Sequence, residues 1–200
     1  MTVSARLPAV RRRRQLLDVA LEIFARDGYH STSMDALAAA AGVTKPVLYQ
    51  HFRSKRELYL ELLGDVGDRL LERIQKAVAT ASGPRQQVEA GFGAYARFVE
   101  ENESAFRLLF VGSPRAPGPD TAQFADALRR VEEAIADAVA ALIEADIDDG
   151  HRRMLAHGIV GMAEGTVRDW LRNGRPVPAD VLGRRLAGLA WAGLRGVRPT

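Results

Sequence analysis

Residues 41–58 read AGVTKPVLYQHFRSKREL. Gly42 breaks a run of small apolar residues. Thr44 follows as an N-cap residue, and Pro46 falls in a first helical turn, where a missing N–H is tolerated. On a 100° wheel Val47, Leu48, His51 and Phe52 lie on one side, with Lys45, Pro46, Tyr49 and Gln50 on the other. The spacing predicts a short helix with an apolar back and a polar front. Ser54-Lys55-Arg56-Glu57 then forms a capping box, in which serine and glutamate satisfy each other's backbone N–H groups. It opens a long helix over about 55–81, stopped by Gly83-Pro84, with Gly64 and Gly67 weakening its middle.

Upstream, Leu17, Ala20, Leu21 and Phe24 recur at i, i+3, i+4, i+7 and predict a helix over about 10–26, ended by Gly28. Thr32 or Ser33 caps a second helix whose buried face is Met34, Leu37, Ala38 and Ala41. Two short helices joined by a glycine turn make a helix-turn-helix. Its polar front suits a major groove. Lys45 can reach a phosphate or guanine O6/N7, Gln50 can pair with adenine N6/N7, and Tyr49 can meet a phosphate or a thymine methyl. Lys55 sits at a helix start, where exposed N–H groups also attract anions. On periodicity alone the segment reads equally well as a solvated surface helix. Charge favours a polyanion partner: residues 1–56 carry +6 and residues 57–200 carry −3.

Further helices are predicted over about 85–101, 103–110, 121–145, 151–173 and 178–195, making nine, with no convincing strand and so an all-α fold. GSPRAPGPD at 112–120 is a loop, Asp120 a cap for the helix after it, and DIDDG at 146–150 a turn. The absence of cysteine excludes disulfides and thiolate metal sites and fits a cytoplasmic location. No apolar run reaches the roughly 18 residues needed to span a bilayer, and no signal peptide is evident, so no membrane partner is expected. DIDDG fails as a calcium loop because His157 stands where the distal glutamate belongs. His157 and Glu164 share a helical face, but two ligands are too few for a metal. No nucleophile elbow, P-loop or HExxH is present, so neither catalysis nor a cofactor is expected.

The 16–63 stretch, LLDVALEIFARDGYHSTSMDALAAAAGVTKPVLYQHFRSKRELYLELL, resembles the N-terminal domain of the TetR family of bacterial transcription regulators. The resemblance rests on Ala20, Phe24, Gly28, Thr32-Ser33, Leu37-Ala38, Ala41-Gly42-Val43, Leu48-Tyr49-Gln50-His51-Phe52 and Lys55, and covers a quarter of the chain. It implies a three-helix DNA-binding domain over residues 1–56 and a helical ligand-binding and dimerisation domain over residues 57–200. It also implies that Thr44, Lys45, Pro46, Tyr49 and Gln50 touch DNA, that His51 and Lys55 reach phosphates, and that Thr32 and Ser33 contact the backbone. The wheel, in contrast, turns His51 toward the core. Arg11, Arg12, Arg13 and Arg14 have no fixed counterpart. They form a basic arm expected to add phosphate affinity or enter the minor groove, the alternative being a solubilising tail.

The rest of the chain carries weaker signals. The resemblance implies a small-molecule inducer. Candidate lining residues are Phe92, Tyr95 and Val99 on one helix, with Phe106, Phe110, Phe124, Met162 and Trp170 facing the same interior, although such an aromatic stripe equally serves a core. Arg97, Arg107 and Arg168 are the arginines that could meet an acidic inducer. The last two helices, which usually make the family's dimer, carry Gly158, Gly161, Gly165, Gly183, Gly188 and Trp191. Glycine in a helix costs about 1 kcal/mol against alanine, so its repeated use suits close approach of helices, between two chains or within one. The expected partners are a palindromic double-stranded DNA operator, an unidentified inducer and a second copy of the chain. The expected action is repression; the alternative is a TetR-fold DNA binder without an inducer, acting architecturally or through a protein partner.

Overall fold

A computed structural model describes residues 8–111 and 120–196. The described residues form helices α1 (Ala9–Asp27), α2 (Met34–Ala40), α3 (Lys45–His51), α4 (Lys55–Ala79), α5 (Pro84–Glu101), α6 (Glu103–Phe106), α7 (Thr121–Ala140), α8 (Asp149–Arg172) and α9 (Ala179–Leu194). Among them there is no strand. Helix α6 runs on as one π-helical segment, Arg107–Val111, which nothing in the sequence marks. Residues 1–7 of the basic front end and 112–119 of the proline-rich loop lie outside the described residues.

The helix-turn-helix follows from local chemistry. Gly28 takes a φ of +81° and ends α1; Gly42, at +65°, makes the turn between α2 and α3. Both values lie where a side chain is disfavoured. Ser33 caps α2 by accepting from the Ala36 N–H at 3.1 Å. Thr44 holds the N-cap position of α3 by its backbone alone, with no side-chain capping bond. The capping box forms one residue out of register: Ser54 accepts from the Glu57 N–H at 3.1 Å, while Glu57 reaches back to the Arg53 N–H at 2.8 Å.

Helix α7 stops at Ala140, short of the expected 145. The chain tightens there through Leu142 N–H to Val139 O and Ile143 N–H to Ala140 O. Arg152 then takes the freed carbonyls, donating to Ile143 O and to Ala145 O at 2.9 Å. These bonds hold the loop after α7 in a non-helical course where apolar periodicity would continue the helix.

The chain divides into two compact units: the described residues of Met1–Val66 with Ser104–Ala127, and of Gly67–Glu103 with Leu128–Thr200. In the first, Leu16, Leu37, Leu48, Phe52, Leu58, Tyr59 and Leu62 are fully buried. Phe24, Tyr29, Tyr59 and Phe124 form a ring cluster, with centroids 4.7 to 5.1 Å apart among the Phe24–Tyr59, Tyr29–Tyr59, Tyr29–Phe124 and Tyr59–Phe124 pairs. Asp120, expected as a cap, turns its carboxylate to the Tyr29 hydroxyl at 3.1 Å and to Arg56 at 3.4 Å.

In the second unit, glycines set two close crossings. A Cβ on Gly183 of α9 would stand 2.9 Å from Gly93 Cα of α5, and one on Gly67 of α4 would stand 2.7 Å from Val131 Cγ2 of α7. Gly67 therefore packs a crossing; Gly64 has open space around it. Ala136, Ile143 and Ala156 form a further small core.

Candidate nucleic-acid interface

Helix α3 presents its polar side outward. Thr44, Lys45, Pro46, Tyr49 and Gln50 are exposed, while Leu48 and Phe52 are fully buried behind them. Val47 and His51 are half-buried, so His51 lies at the edge of the face, between the two expectations for it. The Lys45 ammonium pairs with Asp35 of α2 at 2.9 Å. The hydrogen bond to Asp35 and that residue's charge raise the Lys45 pKa. Both partners are exposed, so a phosphate or base edge can displace the carboxylate at little cost. Ser33 is exposed at the start of α2.

Three expectations are corrected. Thr32 is buried at 4% exposure, and its hydroxyl donates to Gly28 O at 2.8 Å, so its side chain closes the α1–α2 turn and is withdrawn from any ligand. The Lys55 ammonium donates to Tyr29 O at 2.8 Å and Thr32 O at 2.7 Å, and lies 4.4 Å from the Tyr29 ring centroid. It ties the start of α4 to that same turn, and burial lowers its pKa. The arginine run is not an arm: all four residues lie within α1. Arg13 forms a two-pronged pair with Glu61, and Arg14 pairs with Asp65 at 2.5 Å and Asp18 at 2.9 Å. Arg12 bonds Gln15 at 2.6 Å, and Arg11 is exposed. The sequence reading missed Glu61 and Asp65, because their partners stand 48 and 51 residues away.

The family model for bacterial regulatory proteins of the tetR family matches residues 16–62. The tetracyclin repressor-like C-terminal domain matches residues 73–199, more than half of the chain. The HTH-type transcriptional activator FasR of Mycolicibacterium smegmatis is 40% identical over 194 residues, covering 96% of this chain and 87% of FasR. The chain belongs to the TetR family. The HTH-type transcriptional repressor KstR2 of the same species is 27% identical over 190 residues, 92% of this chain and 90% of KstR2. Among solved structures, a TetR-like regulator from Rhodococcus sp. RHA1 superposes with a TM-score of 0.77 at 30% identity, over 96% of this chain and 100% of that one. FadR from Bacillus subtilis, solved in complex with stearoyl-CoA, shares the fold with a TM-score of 0.77 at 15% identity, over 92% of this chain and 99% of FadR. The chain is thus a helix-turn-helix, DNA-binding transcriptional regulator, and its homologues are regulators.

In this TetR protein the residues expected to line one ligand interior are shared between the two compact units. Phe106, Phe110 and Phe124 fall in the first unit, where Phe124 belongs to the ring cluster and Phe106 packs on Phe110 at 5.0 Å. Phe92, Tyr95 and Val99 are buried on α5 in the second unit, and Met162 is half-buried on α8. Trp170 is buried and donates its indole N–H to Val177 O at 2.8 Å, which fixes the end of α8. Of the three candidate arginines, Arg97 pairs with Asp180 at 2.7 Å, Arg107 is exposed, and Arg168 buries its Nε without a hydrogen-bond partner. The Tyr95 hydroxyl is likewise buried and unpartnered, and burial pushes its pKa far up. Glu164 completes the group: burial first, and then the Glu132 charge, push its pKa up to about 7, with Arg168 opposing. Its apolar neighbours Ala163 and Val167 were the available sequence signal. A separate groove of about 650 Å³ is lined by Arg69, Glu72, Arg73, Lys76, Phe98, Glu101 and Asn102, and shares none of the expected ligand residues.

The glycine-rich helices also separate into two kinds. Gly183 is consumed by the α5–α9 crossing within the chain, which corrects its assignment to a dimer. Gly158, Gly161 and Gly165 of α8 and Gly188 of α9 are exposed, with no atom within 4 Å of a Cβ position. Trp191 is half-buried, and Met154 and Leu189 are each 62% exposed beside these glycines in sequence. Among the described residues no helix is long and apolar enough to cross a membrane, and none forms a three-ligand metal group.

Proposed function

We propose that this regulator works in the cytoplasm as a homodimer that reads a palindromic operator and releases it on binding a small molecule. The observation that carries this is the α3 face, where Thr44, Lys45, Pro46, Tyr49 and Gln50 are exposed over buried Leu48 and Phe52. Lys45, Tyr49 and Gln50 supply the base and phosphate contacts, with Ser33, Arg11 and Arg12 on the flanking backbone. A functional division follows: DNA reading by residues 1–56, ligand binding and dimerisation by residues 57–200. The small-residue face of α8 and α9 supports the dimer, since exposed glycines beside exposed Met154 and Leu189 suit close approach of a second copy. Two recognition helices would then stand about 34–36 Å apart, one helical turn of DNA.

The ligand site in this reading is the α5–α8 interior around Phe92, Tyr95, Val99 and Met162. Buried, unpartnered Tyr95 Oη and Arg168 Nε support it, because such groups call for an acceptor. Ligand occupancy would shift the population of α4 geometries and so the spacing of the two readers. Repression follows where the operator overlaps a promoter. The FasR relative is an activator and the KstR2 relative a repressor, so operator position sets the sign. Footprinting of a selected fragment tests the reading. Two protected half-sites about one turn or one and a half turns apart, lost with Gln50→Ala, support it; a single unpaired footprint sinks the dimeric reader.

A further inference from the structure

One guanidinium holds the recognition helix at its C-terminal end. Arg13 Nε donates to Glu61 Oε1 at 2.7 Å and Nη2 to Glu61 Oε2, a two-pronged bond to α4. Its Nη1 donates to the carbonyl of His51, the last residue of α3. Its Cζ lies over the ring of Phe52, the α3 C-cap residue, 4.4 Å from the centroid. Three elements, α1, α3 and α4, thus converge on one side chain.

We propose that Arg13 is a positioning residue for operator reading: it bolts the end of α3 to α4 and fixes the angle at which Tyr49 and Gln50 meet the groove. Helix α3 has seven residues, and its last carbonyls have no partner within the helix. A cation there satisfies one of them and opposes the negative end of the helix dipole. Tyr49 and Gln50 occupy that same final turn. Stability alone does not explain the arrangement, since Arg13 and Glu61 remain 37% and 34% exposed, and such pairs add little to folding free energy. What the fork adds is geometry. A lysine keeps the charge but cannot make two parallel bonds, a third to a carbonyl, and the cation–π contact over Phe52 together. Nor is Arg13 free to act as a phosphate contact while these bonds hold.

The inference rests on α3 being the DNA-facing helix, and the test separates the two. Operator and scrambled duplexes are titrated at several salt concentrations with wild type, Glu61→Gln, Arg13→Ala, Arg13→Lys and Gln50→Ala. Glu61→Gln removes a negative charge, so charge alone predicts tighter binding to both duplexes. The bolt predicts instead about tenfold weaker operator binding, the scale of one lost base contact, with scrambled binding no weaker and the salt slope unchanged. Arg13→Ala behaves likewise, and Arg13→Lys restores operator binding only in part. Glu61→Gln binding the operator as tightly as wild type, or Arg13→Ala weakening both duplexes equally with the salt slope lower by about one, overturns the bolt. Loss in Gln50→Ala alone leaves the DNA-facing helix in place and removes the bolt; loss in no variant removes both.

Discussion

Gly161→Ala distinguishes an interface between chains from a bare surface. Gly161 lies within α8, is exposed, and has nothing within 4 Å of a Cβ position in one copy of the chain. In an isolated chain the alanine should stabilise the helix by about 1 kcal/mol. If a second copy packs its backbone there, the added methyl overpacks the contact at about 1–3 kcal/mol per site, and the two-fold repeats it. The net sign therefore reverses with assembly. Gly183→Ala is the internal reference. Its Cβ would meet Gly93 Cα at 2.9 Å and Gly93 N and Phe92 O at 3.1 Å, all backbone atoms that cannot rotate aside. The same 1–3 kcal/mol less the propensity gain leaves a loss of up to about 2 kcal/mol, a few degrees in Tm for a chain this size. Melts at several protein concentrations, with sedimentation in parallel, give the readout. Gly161→Ala should shift the mass toward monomer and lower Tm most at high concentration; Gly183→Ala should lower Tm at every concentration. A Gly161→Ala protein with unchanged mass and a raised Tm throughout would refute the dimer reasoning.

Other perturbations give distinct outcomes. Lys55→Met should cost about 1–3 kcal/mol in a denaturant melt, because Tyr29 O and Thr32 O lose their donor, while the salt dependence of DNA binding stays as in wild type. Tyr95→Phe removes a buried, unpartnered hydroxyl, so Tm should hold or rise as ligand response falls; a lower Tm with intact response would show packing alone. Glu164, with a folded pKa of about 7 against an ordinary 4.5, favours folding only while protonated. That contribution is full below about pH 4.5 and is lost as pH rises through 7, so wild type should lose Tm between pH 5 and 8 relative to Glu164→Gln. Parallel Tm–pH curves would refute it.

The helix-turn-helix was legible because its information is local. Gly28 and Gly42 mark the turns, and one wheel separates Leu48 and Phe52 from Lys45, Tyr49 and Gln50. What spacing could not show were bonds between distant residues. Arg11 to Arg14 look like an arm until Glu61 and Asp65, from a helix some 50 residues on, take two of them. Lys55 looks like a phosphate ligand until two turn carbonyls claim it. Phe124 reads as pocket lining, yet Tyr29 and Tyr59 meet it edge to face. Glycines are ambiguous for the same reason: Gly183 and Gly161 carry one propensity cost, and only the fold shows that Gly93 abuts the first. The α7 end falls short of the periodic reading because apolar residues continue past Ala140, while Arg152, from the next helix, binds the carbonyls of Ile143 and Ala145 in the loop that follows.

The most direct test of the α3 reader is selection of sheared source-genome fragments by the purified protein at about 150 mM salt, a concentration that suppresses purely electrostatic binding. The expected result is an enriched palindrome with half-sites about one turn or one and a half turns apart, its enrichment lost in Gln50→Ala. Binding that is weak, independent of sequence and abolished by salt would contradict it.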